Sequence, residues 1–185
     1  MEEGLIQSSA EWRLMSLLFM RPQGGWKEEI RALASEVSDP ELRAAAAAGC
    51  REGDPARYDT VFRPGGVAGS REVSYGQAMM PSWALAEIQG CYEAFAYRPQ
   101  TDEPPDHVAL MTGFIAYLRL KQAMGEGEQA QIVSEALQRF IRDHLSRLAE
   151  PLAQDLAASG VSYLAMTASL LLRRVREEMM SPSAP

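Results

Sequence analysis

Apolar residues recur at spacings of three and four along most of the chain, the period of a helix buried on one side. In "SSAEWRLMSLLFM" they are Trp12, Met15, Leu18 and Phe19, and Ser8 with Glu11 has the spacing of a capping box. Beyond a "RPQGG" break, Trp26, Ile30, Leu33 and Val37 predict a second helix. "DPELRAAAAAG" predicts a third, with Asp39 as cap, Pro40 at the first helical position and Gly49 as its stop. Asp54 and Pro55 repeat the Asp-Pro start. No run alternates at period two, so the expected fold is all-α, a single-domain helical bundle over 1–185 with 181–185 as a disordered tail.

"RPGGVAGSREVSYG" has no helical period and predicts a long loop, of a length that is usually functional or mobile. Pro81 then starts a helix through Trp83, Ile88, Cys91, Tyr92 and Phe95. A loop closed by Pro104-Pro105 precedes a helix that is apolar nearly all round, so other helices must surround it. Val133, Leu137, Phe140 and His144 form the next stripe, with His144 read as a hydrogen-bonded core histidine. Pro151 begins or kinks the following piece, and the last helix runs from Val161 to about Met179.

Composition narrows the function. A net charge of −7 repels phosphate backbones, which excludes nucleic acid as the expected partner, and attracts basic peptides. Cys50 and Cys91 stand far apart with no CxxC spacing, against a disulfide scaffold or a zinc ribbon; with only two histidines, no metal site is expected. "MEEGLIQSSAEWRLM" lacks the basic and apolar regions of a secretory signal, and no apolar run is long enough to span a bilayer. The expected location is cytoplasmic.

The candidate chemistry lies in "TDEPPDHVAL". Prolines hold Glu103 and Pro104 extended, Asp106 is expected to cap the helix, and His107 falls in the first turn, where the positive helix end disfavours its protonated form. Asp102, Glu103 and Asp106 would gather acid at one rigid corner, with Tyr75 and Trp83 as apolar contacts nearby. On these residues alone, a purely structural helix start is the favoured reading. Met79-Met80 and Met179-Met180 fit either an adaptable surface or core filling. Arg173-Arg174, inside the last helix, is expected to offset the negative helix end.

Taken in order, the residues from Tyr58 to Leu145 resemble the TorD/DmsD/NarJ family of chaperones that mature molybdenum-containing oxidoreductases. The pair Tyr58 and Phe62 leads a Gly-rich loop ending in "REVSYG". "CYEAFAY" is followed by the hallmark Glu-Pro-x-Asp-His at Glu103, Pro104, Asp106 and His107, then by "FIAYL" and "FIRDHL". Leu148 stands where the family commonly has Trp. The resemblance implies a protein that is not an enzyme and carries no cofactor. It would bind the twin-arginine signal peptide, or another segment of a catalytic subunit, while molybdopterin is inserted. The expected client-binding residues are Glu103, Pro104, Asp106, His107, Tyr75 and Trp83. The partners would be that peptide and subunit, the protein being a monomer or a domain-swapped dimer. The alternative is a helical protein-protein adaptor unrelated to twin-arginine export.

Overall fold

The computed structural model describes residues 2–76 and 81–180. Met79-Met80 and the 181–185 tail lie outside the described residues. Helices follow one another as α1 (Glu2–Phe19), α2 (Trp26–Glu36), α3 (Pro40–Glu52), α4 (Pro55–Phe62), α5 (Pro81–Ala94), α6 (Val108–Met124), α7 (Gly127–Phe140), α8 (Ser146–Ala157) and α9 (Ser162–Met180). A 3-10 turn, Glu72–Ser74, sits in the loop before α5, and a π-helical turn, Ile141–Leu145, joins α7 to α8. Among the described residues, strand-like pairing is confined to an antiparallel bridge between Arg71 and His107. The fold is an all-α bundle.

The helix expected to be apolar all round is α6, and every residue from Val108 to Ala116 is buried. It lies along α1, where Ser16 Oγ donates to Ala109 O and Ser9 Oγ to Ala116 O, each at 2.7 Å. Gly113 makes the approach possible: a Cβ there would stand 2.7 Å from Tyr97 Oη and 3.0 Å from Ser16 Oγ. A hydroxyl-to-carbonyl bond satisfies a buried polar group that would otherwise cost free energy at such a seam. Trp12, Met15, Leu18 and Phe19 all face the core, as their spacing predicts.

Asp39 and Asp54 cap α3 and α4, each accepting from two amides of its first turn. Other local readings need correction. Ser8 is not a cap, because α1 already starts at Glu2 and places it mid-helix; Glu11 is buried and pairs with Arg174 at 2.8 Å. Gly49 does not stop α3, which continues to Glu52; it is there because a Cβ would stand 3.1 Å from Leu18 and 3.3 Å from Trp26. Pro151 lies inside α8 and does not begin it. Arg173-Arg174 does not serve the end of α9, which runs on to Met180. Arg174 instead bridges Glu11 and Asp39, at 2.8 Å to each, and ties α9 to α1 and α3; Arg173 reaches Glu41 at 2.9 Å. Met179 and Met180 are exposed and fill no core. Among the described residues no helix is long and apolar enough to cross a membrane.

Candidate functional site: the proline elbow and its flanking clefts

The site is built outward from the end of α5. Tyr97 N–H donates to Tyr92 O at 2.8 Å and Ala96 N–H to Glu93 O at 3.1 Å, a Schellman arrangement. Its left-handed position, normally glycine, is Ala96 at φ 56. The rings of Tyr97 and Tyr92 meet edge-on at 5.0 Å, closing the motif with an apolar contact. The same Tyr92 reaches back through Oη to donate to Pro105 O at 2.8 Å. One side chain thus ends α5 and clamps the elbow.

Asp106 is fully buried (0% exposed) and faces away from solvent. Oδ1 accepts from Arg71 Nε at 2.8 Å and Oδ2 from Val73 N–H at 3.2 Å. Backbone bonds from Glu72 N–H to Asp106 O and from Val108 N–H to Ser70 O complete the lashing of loop to elbow. The expectation that Asp106 caps α6 is therefore overturned: its carboxylate is consumed by the preceding loop.

The cap is His107, 2% exposed, with extended φ and ψ and Nδ1 accepting from Ala109 N–H at 3.2 Å. That bond places the ring proton on Nε2, which donates to Tyr58 Oη at 3.2 Å, while Tyr58 donates onward to Phe19 O at 3.0 Å. Burial lowers the His107 pKa to about 4, aided by Arg71 and opposed by Asp106. The ring is neutral, with both nitrogens engaged. No peptide reaches Asp106 or His107 in this conformation.

The loop carries two further locks, one buried and one partly buried. Glu72, from the 3-10 turn, meets His144 Nδ1 at 3.1 Å and Arg147 Nη1 at 3.4 Å. Tyr75 Oη accepts from Gly69 N–H and donates to Asp155 Oδ2, each at 2.9 Å, and its pKa is raised by burial and by that carboxylate. A Cβ on Gly69 would stand 2.3 Å from Ser74 Cβ, so this fold of the loop needs glycine there. Tyr75 is thus a loop anchor with its hydroxyl fully used. The structural weight of Arg71 and Glu72 was not readable from the sequence. The one available hint was two adjacent opposite charges in a glycine-rich loop, and charges of that kind are usually solvated.

Of the other expected site residues, Pro104 holds the elbow, its carbonyl accepting from His107 N–H at 3.0 Å. The Glu103 side chain remains 36% exposed. It lines a cleft of about 300 Å³ together with Glu93, Gln89 and Pro105. Trp83 is 67% exposed on α5, apart from the elbow's buried side. Sequence reasoning missed the larger cleft of about 450 Å³ between α5 and α7. Phe95, Phe114 and Phe140 line it, and Glu87 and Glu135 add acid, while Asp143 pairs with Arg139 at 3.4 Å and with Arg142 at 3.1 Å. The π-helical turn supplies both Asp143 and His144 to this cleft. Extra residues of this kind inside a helix often mark functional sites. Trp83 lies one turn before Glu87 on the same face of α5.

The Glu-Pro-x-Asp-His elbow thus locks a glycine-rich loop within a helical bundle, with clefts on either side of α5. The family model described as nitrate reductase delta subunit matches residues 26–154. The chain belongs to that family, the NarJ/TorD-type redox enzyme maturation chaperones. A structure from Archaeoglobus fulgidus, described as a candidate redox enzyme maturation protein, shares the fold. Its TM-score is 0.59 at 15% identity, over 95% of this chain and 94% of that one. No curated protein sequence matches the chain.

Proposed function

We propose that this chaperone binds the twin-arginine signal peptide, or another basic and apolar segment, of a molybdopterin-containing oxidoreductase catalytic subunit. It would hold that segment during cofactor insertion and assembly before export. The observation that carries the reading is the α5–α7 cleft. Its aromatic lining suits an apolar stretch, and Glu87 and Glu135 are placed to accept guanidinium groups. Glu103 with Glu93 offers a second acidic station on the elbow side of α5. Asp106, His107, Pro104 and Tyr75 act by positioning: they fix the elbow and the loop that leads towards α5. Trp83 is the apolar contact at the open end.

Calorimetric titration with a twin-arginine peptide tests this. Glu87→Lys with Glu135→Lys is expected to weaken binding about tenfold or more through lost and reversed charge pairing, with the melting temperature nearly unchanged. Trp83 adds an optical readout. It is the exposed tryptophan, Trp12 and Trp26 being buried, so its emission should shift to shorter wavelength on binding. A folded double variant with unaltered affinity would remove the cleft from the site.

A further inference from the structure

Adjoining the cleft of Glu93 and Glu103, and sharing Arg98 with it, lies a cleft of about 480 Å³ that is richer in arginine. Arg13 from α1, Arg21 from the turn after it and Arg98 from the loop after α5 all line it. Arg21 is held bidentately by Asp59, at 2.7 Å on both oxygens. Arg13 and Arg98 are exposed, and among the described residues neither forms an ion pair or a side-chain hydrogen bond. In a chain of net charge −7, acids neutralise Arg71, Arg119, Arg173 and Arg174, while Arg43, Arg51, Arg57 and Arg63 also lack an ion pair among the described residues; what sets Arg13 and Arg98 apart is that they share one cleft. Arginines from three separate elements, two of them without a partner, converge on one concavity.

We infer that this cleft is a second docking site, taking an acidic segment of a partner polypeptide in which carboxylates alternate with apolar residues. The guanidinium fork matches a carboxylate bidentately. Leu17, Met20 and Leu110 provide apolar surface between the arginines, and Gln23 and Gln100 carry amides suited to a peptide backbone. A densely charged phosphate ligand fits less well, because no lysine lines the cleft and Glu29 does. The inference rests on the cleft's own charge and stands apart from the cationic-peptide reading above. The cleft adjoins the one lined by Glu93 and Glu103 and shares Arg98 with it, so a partner bearing both signs would meet arginines and carboxylates side by side.

The test is fluorescence anisotropy with a labelled hexapeptide of alternating leucine and glutamate, and with its glutamine counterpart. It should be run at about 0.15 M salt, where the Debye length is about 8 Å and the chain's long-range repulsion is screened. The glutamate peptide is expected to bind about tenfold tighter than the glutamine peptide. Arg13→Ser with Arg98→Ser should abolish that preference without changing the melting temperature. Absent binding, equal binding of the two peptides, or a double variant that behaves like wild type would overturn the inference. Displacement by pyrophosphate at lower concentration than by unlabelled glutamate peptide would overturn it too, since the cleft would then be a phosphate site.

Discussion

The elbow has two faces made from neighbouring residues, and they obey different rules. On the inner face Asp106 and His107 have every side-chain polar atom committed, to Arg71, Val73, Tyr58 and Ala109. On the outer face Glu103 and, across α5, Trp83 and Glu87 face solvent or open clefts. The inner face contributes stability and fixes shape; the outer face is free to change partners. A motif that looks like one functional unit along the chain is thus divided by a buried surface.

The largest expected effect comes from breaking the inner face. Asp106→Ala leaves the Arg71 guanidinium and the Val73 amide without their acceptor. Arg71 is one-third exposed and recovers some solvation, so the cost should be about 3 kcal/mol in urea unfolding, at the low end for a broken buried pair. A loss below about 1 kcal/mol would mean the loop is not held by this pair. Asp106→Asn should also destabilise the fold, because an amide nitrogen would be presented to donors.

Next comes pH. The folded His107 titrates near 4 and the unfolded side chain near its ordinary 6.5, so between these values the unfolded chain binds more protons. The stability from this group is complete above about pH 6.5 and is lost as pH falls towards 4, amounting to about 3 kcal/mol at most. His107→Asn keeps a capping oxygen and removes the titration. Its stability should fall less steeply than wild type across that window; parallel pH profiles would show that His107 is not the group responsible.

Smaller effects sharpen the contrast from the outside. Ala96→Gly relieves the left-handed strain at the end of α5 and should raise stability by about 0.5–1 kcal/mol, read as a higher melting temperature. Trp83→Ala should alter stability by less than about 0.5 kcal/mol, as expected of an exposed side chain, while weakening a twin-arginine peptide. If Trp83→Ala instead destabilises as strongly as Asp106→Ala, the two faces are not separable.

Much of this architecture is legible from the chain. The helical period, the two Asp-Pro starts and the all-apolar helix after the elbow each follow from local patterning, and α3, α4 and α6 form where it points. Two of the failures share a cause. Gly49 and Asp106 have the residue types of a stop and a cap, and each was drawn instead into a contact with a distant element, whereas Ser8 fails because α1 begins further upstream.

What the sequence determined by itself is therefore the list of helices and the family signature. Both depend on residues near one another in the chain, where propensity and spacing act directly. Only the tertiary structure decided which charges are sealed and which are offered. Arg71 finds Asp106 across 35 residues, and Glu72 finds His144 across 72. Whether a carboxylate meets a guanidinium of its own chain or remains open to a partner depends on what other helices bring beside it. No local pattern encodes that.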